Sequence, residues 1–590
     1  MSERGVLNRF IIWVVLALSS LSVFIIPLIK FNKQFIARDW TLYNCMSYFS
    51  KSSWLYYKTL PNHIPYVLGG YDLLASPQSK VFSPLAIFDL FLSAPFASLF
   101  SLITLSIIGS YGMFKLLCYL DVNASIALLC AFIYAHASWF SLHFSEGHVV
   151  FGSFQLMGWM LYFTLQLDKA KYKIYLGVLL AFMVLDGGMY AFIYSLILVI
   201  FSFLFAINNI SISELFKSIK LQIPQTILAV FIFLGLAGAK MIPLLTLHRN
   251  RIPVKENIQL DFESIINAFF NPNQHININL PNAAFNNYGI HFHEIGAYIG
   301  VISFIIILYY LLKNFHRKII PYLLFILFFL WIGCGFGGKI NPWSLFQEVP
   351  IINNAHIQTR VLFFVYFMMI ILLAFSLNFL VNKFSKWKVG IVFLILTLEA
   401  LIVPNVAFYN TFQEEDSITS TKVFKSYLQN STIKQTVGNS SVGWGKNFEL
   451  FEKRNVASRS FMDNAIIQGE IKTVDENDYQ GEAYFLKGKG NIQILSYTPQ
   501  GLIVNIEADT LSEIQFNTNF LSNWSSSNSM VSTFERNGLL TIKTDKINDI
   551  IELKYAPKYL KIILPFYILS VLLFLIFLLI RRNKLSDYFP

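Results

Sequence analysis

Residues 361–381 read VLFFVYFMMIILLAFSLNFLV, 21 positions without one Asp, Glu, Lys or Arg. The length matches the ~20 residues that a helix needs to cross the hydrocarbon of a bilayer. Comparable apolar runs lie outward from it on both sides. They extend from Phe10 to Ile29, Phe96 to Leu117, Ala124 to Leu142, Val149 to Leu167, Ile174 to Leu185 and Tyr190 to Ala206. A second series covers Thr226 to Leu245, Ile295 to Leu312, Ile319 to Phe336, Val389 to Phe408 and Leu560 to Ile580. These runs predict a polytopic α-helical membrane protein of about 12 spans. The turn Asp186-Gly187-Gly188 makes the fifth span short or tilted.

Composition agrees. Of 590 residues, 55% are hydrophobic and 13% charged, and the mean hydropathy of +0.54 exceeds what a water-soluble fold of this size can hide. The net charge of +11 raises the question of nucleic acid. Its lysines and arginines sit instead in short clusters between apolar runs, such as Lys169, Lys171 and Lys173, or Lys383, Lys386 and Lys388. That is the positive-inside pattern, so no nucleic-acid partner is expected. With the N-terminus inside, every such cluster falls on the cytoplasmic side, as does the C-terminus, and every long polar segment falls outside. Arg4 and Arg9 ahead of the first run resemble a signal peptide, but the run is long and lacks a small-x-small cleavage site, so a retained span is expected. Four cysteines provide neither a disulfide framework nor zinc spacing.

The expected organisation is a multi-span domain over 1–409, an extracytoplasmic domain over 410–557, and a final helix with a cytoplasmic tail over 558–590. In the middle block the period changes to two: Leu502, Val504 and Ile506 alternate, as do Ile514, Phe516 and Thr518. Such runs between Gly, Asn and Ser predict β-strands, arranged as a sandwich.

Chemistry-bearing residues gather at the outer ends of the apolar runs. Asp39, in Arg38-Asp39-Trp40, is either a solvated carboxylate beside an interfacial Trp or a general base at the mouth of a membrane cavity, where partial desolvation raises its basicity. Asp72, after Gly69-Gly70-Tyr71, reads as a turn residue and a second candidate base. His136, His143, Glu146 and His148 surround the outer end of the third span. Their spacing is not a recognised metal-ligand motif, and no metal is expected. Lys240, His248, Arg249 and Arg251 leave the seventh span, His291, His293 and Glu294 enter the eighth, and His356 and Arg360 enter the tenth. Cations around one outer cavity suit a phosphate anion, and Arg360 leads because positive-inside bias disfavours outer arginines.

These pieces resemble the bacterial integral-membrane glycosyltransferases of the GT-C fold, in particular the YfhO-like group. The resemblance rests on Asp39, on Ser145-Glu146-Gly147-His148, and on Phe346-Gln347-Glu348-Val349-Pro350 running to Arg360. Two stretches of the C-terminal block add to it: Asp478-Tyr479-Gln480-Gly481-Glu482-Ala483-Tyr484, and Asn517-Thr518-Asn519-Phe520-Leu521-Ser522-Asn523-Trp524. It implies transfer of a sugar from a polyprenyl-phosphate donor to a glycan, lipid or protein acceptor on the outer face of the bacterial cytoplasmic membrane. Asp39 is then the base, with Arg360, Glu146, His148, His291 and Arg249 as substrate contacts. No cofactor is specified. A lipid or glycan transporter, an acyltransferase using His136 or His143, and an assembly protein with a partner-binding β-domain stand as alternatives.

Overall fold

The fold is taken from a computed structural model and is described for residues 3–34, 39–207, 223–247, 258–274, 279–285, 288–348, 357–411, 435–437, 456–458, 469–474, 476–521 and 523–585. Every one of the twelve apolar runs carries helix. Among the described residues, seven helical stretches are long and apolar enough to cross a membrane, rather than twelve. They are Ala94–Tyr119, Ala124–Glu146, Ile223–Thr246, Arg317–Cys334, Gln358–Lys383, Lys386–Tyr409 and Leu560–Ile580. Phe10–Val23, Val149–Thr164, Met189–Ser202 and Val301–Asn314 are shorter apolar helices.

The difference has local causes. The first run breaks at Phe24 into Glu3–Val23 and Ile25–Gln34. The fourth is a 3₁₀ helix over Val149–Leu156 before it becomes α-helical over Met157–Thr164. A 3₁₀ turn rises ~2.0 Å per residue against ~1.5 Å in an α-helix, so this run reaches about 28 Å with few residues. Ala170–Leu185 carries Lys171 and Lys173 at its start, and Gly187, at φ +80°, turns the chain into Met189–Ile207.

The helix that follows Arg360 is the centre of the body. In the span Gln358–Lys383, 89% of the most apolar window is buried, against 11% in Leu560–Ile580 at the periphery. Without a hydrophobic driving force between lipid-facing helices, close approach depends on small residues. Gly235 lies where a side chain would meet Ser570 of the final helix, and Gly177 lies against the Ala229 carbonyl.

The C-terminal strands form two four-stranded antiparallel sheets. One has the order β12 (Val531–Arg536), β13 (Leu539–Thr544), β10 (Ser512–Asn519), β7 (Ala483–Lys487). The other has the order β11 (Trp524–Ser526), β14 (Ile547–Tyr555), β9 (Gly501–Ala508), β8 (Gly490–Thr498). Leu502, Val504 and Ile506 of one sheet and Ile514, Phe516 and Ile542 of the other share one apolar core, as alternation requires of a sandwich.

The sandwich is joined to the first long loop. Two short paired strands, β1 (His63–Ile64) and β2 (Tyr71–Asp72), shape that loop. Asn519 donates from its backbone to Gly69 O at 2.7 Å, and its side chain donates to Leu68 O and Gly70 O. The His63 ring stacks on Tyr555 with centroids 4.5 Å apart. Asp72 is therefore not a solvated turn residue. It is buried, and its Oδ2 accepts from the Tyr555 hydroxyl at 2.5 Å and the Tyr559 hydroxyl at 2.8 Å. Burial raises its carboxyl above the usual range, although hydrogen bonds from the two tyrosines oppose the shift. Asp72→Ala leaves two phenols without an acceptor, and each unsatisfied buried hydroxyl costs about 1–3 kcal/mol. Thermal unfolding of the purified protein is expected to show that loss, with Tyr559→Phe costing less. Because the raised pKa favours the protonated carboxyl in the fold, the joint is expected to weaken as pH rises through it.

Candidate functional site

The helix Ser138–Glu146 ends at Gly147, whose φ of +98° is the left-handed conformation that glycine adopts without strain. The backbone N–H groups of Gly147 and His148 both return to the His143 carbonyl, at 3.1 and 2.9 Å. That reversal folds His148 back over His143, and their Nδ1 atoms lie 2.8 Å apart. A side chain at residue 147 would fall on the backbone of Asp39 and Trp40, so the same glycine admits the neighbouring loop. Asp39 N–H donates to Glu146 O at 3.2 Å and Trp40 Nε1 donates to Phe144 O at 2.9 Å. Asp39 Oδ2 is thereby set 3.2 Å from His148 Nε2.

This chain of contacts determines the tautomers. Facing a carboxylate, His148 Nε2 carries its proton, so neutral His148 accepts at Nδ1 from His143 Nδ1–H. The buried His143 Nε2 then holds a bare lone pair, and it has no hydrogen-bond partner.

The second half of the site is an ion pair. Arg360 lies in the turn Gln358–Val361 that opens the central helix, and Glu294 lies in the turn Phe292–Ile295. The guanidinium donates from Nε to Glu294 Oε2 at 2.6 Å and from an NH2 group to Oε1 at 2.8 Å. Its face lies over the rings of Phe151 and Tyr190, at 5.0 and 4.9 Å. Thr359 ties the two turns together by donating its hydroxyl to Glu294 O at 2.8 Å. Burial alone pushes Glu294 up, but the charges of Arg360 and His293 win and hold it well below the usual carboxylate range. For His293 burial alone lowers the pKa, and Glu294, 3.0 Å from its Nε2, raises it instead.

The halves meet. The His293 ring centroid lies 5.6 Å from that of His148 and 6.2 Å from that of His143. Buried Tyr43 feels both Asp39 and Arg360, and burial first, then the charge of Asp39, holds its phenol well above the ordinary value. Glu146 contributes its backbone carbonyl and a negative charge that His293 feels. His291 stacks beside His293 with centroids 5.9 Å apart. Arg249, His248, Arg251 and His356 lie outside the described residues. Lys240 lies apart, donating its buried ammonium to Ser79 O, and His136 lies between helices, bonded to Ser22 and to Phe132 O. Among the described residues, no group of three or more His, Cys, Asp or Glu side chains is placed to hold a metal ion.

Sequence reasoning finds Asp39, His148 and Arg360 as separate outer residues but not their partners. His-Phe-His-Glu at 291–294, ahead of an apolar run, is the signal that carries Glu294. What it lacks is any indication that Glu294 answers Arg360, so the guanidinium expected to meet a phosphate is already in a bidentate pair.

No protein-family model and no curated protein matches the chain.

Removing one partner of a buried ion pair leaves an uncompensated charge and costs about 3–5 kcal/mol. Glu294→Gln is therefore expected to lower the unfolding temperature sharply. The double variant Glu294→Leu with Arg360→Met should recover most of the loss, and a double-mutant cycle measures the coupling.

Proposed function

We propose that the chain is a membrane glycosyltransferase. In this reading its twelve helical runs all cross or enter the bilayer, and the site opens on the outer face. The donor is a polyprenyl-phosphate-linked sugar, the acceptor an envelope glycan, lipid or protein hydroxyl. The observation that carries the proposal is Asp39 Oδ2 at 3.2 Å from His148 Nε2, at one end of an apolar helical body. A carboxylate oriented by an imidazole, in a place that an isoprenoid tail can approach through lipid, suits general-base transfer to a lipid-borne sugar.

The reaction balances without a cofactor. Asp39 takes the acceptor's hydroxyl proton as the oxygen attacks the anomeric carbon, and the bond from that carbon to the phosphate oxygen breaks. Its electron pair leaves with the lipid phosphate. One base is enough for such a displacement, which inverts the anomeric centre, whereas retention requires a second, nucleophilic carboxylate. His148 positions the Asp39 carboxylate, and His143 holds His148 in place. Arg360, already bidentate to Glu294, holds Glu294 and through it His293 in place rather than meeting the leaving phosphate itself.

A second reading, transport of a lipid or glycan without chemistry, draws on ionisable groups within the apolar helices. Lys240 is buried inside Ile223–Thr246, and Glu399 inside Lys386–Tyr409 accepts from the Tyr298 hydroxyl at 3.0 Å.

Asp39→Asn retains size and hydrogen bonding but cannot take the proton. With a defined polyprenyl-phosphate sugar and acceptor, its turnover is expected to fall about 10²–10⁴-fold while donor binding persists. Near wild-type turnover would remove Asp39 from the base role. No turnover by the wild type with any such donor would favour transport.

A further inference from the structure

A second polar site adjoins the first and shares Tyr43 with it. A partly open cleft lies between the helix Trp40–Leu55, the segment that leads into the helix Ile87–Phe91, and the start of Ala94–Tyr119. Tyr43, Ser47, Lys80, Asp89, Ser98 and Ser101 line it. Tyr43 and Ser47 stand four residues apart on one helix and Ser98 and Ser101 three apart on another, so each of these helices presents one face to the cleft.

Two of these groups have unused donors. The Tyr43 hydroxyl is buried without a hydrogen-bond partner, and so is the Lys80 ammonium. The nearest carboxylate to Lys80 is Asp186, whose Oδ2 lies 3.5 Å away as an ion pair too long for a good hydrogen bond. Asp186 is served from elsewhere, by Ser83 Oγ at 2.8 Å on its other oxygen. Ser47 likewise donates to Asp89. Burial pushes Asp89 up to about 6, against the hydrogen bond from Ser47 and the charge of Lys80. Lys51 also acts on Asp89, and Lys240 is bonded at Ser79 beside Lys80. Lys80 is thus the ammonium that lines the cleft, with Lys51 and Lys240 bonded beside it to Leu92 O and Ser79 O. A buried donor left unmade costs free energy that a ligand acceptor restores, and an ammonium makes the strongest such bonds to an anion.

We propose that this cleft binds a phosphate-type anion through Lys80 Nζ and Tyr43 Oη, whether the phosphate belongs to a lipid head group or is free. Its identification with the sugar donor's phosphate rests on the transferase reading. Because Arg360 is bidentate to Glu294, Lys80 becomes the cation for the leaving phosphate, and Tyr43 links it to the Asp39 side. Asp89 works against the anion, so the cleft holds it reversibly.

The test measures binding without turnover. The full-length protein in detergent micelles is titrated with inorganic phosphate and, separately, with farnesyl phosphate in mixed micelles, followed by phosphorus NMR or calorimetry. Saturable binding is expected, weakened about 10-fold or more in Lys80→Gln, because charge-assisted hydrogen bonds are about twice as strong as neutral ones. Tyr43→Phe, which removes one oxygen, is expected to weaken it by a smaller factor. Asp89→Asn is expected to tighten it. That sign separates an anion site from a sugar-hydroxyl site, in which Asp89 would be an acceptor and Asp89→Asn would weaken binding and overturn the proposal. No saturable binding of either probe to the wild type also overturns it, as does wild-type affinity in both Lys80→Gln and Tyr43→Phe when gel filtration shows them folded. Binding of both probes supports the site with free phosphate as a sufficient ligand, and binding of farnesyl phosphate alone supports it with a lipid head group. Phosphate binding in a protein that transfers no sugar leaves this site standing and removes the transferase reading.

Discussion

A guanidinium buried in an apolar body needs an anion, and the pair Arg360–Glu294 meets that demand at the first turn of the most buried helix. Taking both charges out of water is costly, so the geometry has to be close: two parallel hydrogen bonds, a threonine tying the two turns, and two aromatic rings against the cation. The position of Glu294 then determines that of His293, its sequence neighbour, and His293 brings the ion pair within ring contact of His148 and His143. A single electrostatic requirement at the start of the central helix thus organises the segments packed around it.

The remaining half follows from backbone geometry. Gly147 reverses the chain, His148 returns over His143, and the vacant side-chain position lets Asp39 and Trp40 approach. From there Tyr43, one turn along the next helix, connects Asp39 with the cleft around Lys80. The joint of Asp72 with Tyr555 and Tyr559 carries the connection to the β-sandwich. Carboxylate, histidines, cleft and sandwich are therefore joined in turn through residues 39–72.

Much of the fold was legible because periodicity and hydropathy are local. The run 361–381 is helical, and the alternation at 502–506 and 514–518 falls on β9 and β10. Helix length was less legible: the 3₁₀ winding of Val149–Leu156 and the break at Phe24 leave no mark in composition. Asp39 and Arg360 stand out because charge at an outer helix end is conspicuous. Their partners do not, since Asp39 with His148 and Arg360 with Glu294 are brought together only by packing of distant segments. Asp72 looked like a turn residue after Gly69-Gly70 because its two tyrosines come from the far end of the chain. The charges around Lys80 were hidden for the same reason, as Asp186 and Lys240 each sit on a different helix.

The account needs the β-sandwich, and with it the Asp39 side of the body, to face outward while the lysine-rich turns face inward. Side-specific labelling decides this with two single-cysteine proteins in which Cys45, Cys118, Cys130 and Cys334 are replaced by alanine. Met530→Cys is on an exposed sandwich position, and Lys318→Cys on a lysine-rich turn. With a membrane-impermeant maleimide, the account predicts that Met530→Cys reacts on intact cells and Lys318→Cys only after the membrane is opened. Labelling of Lys318→Cys on intact cells, with Met530→Cys protected until the membrane is opened, would place the site on the cytoplasmic face and contradict outer-face transfer.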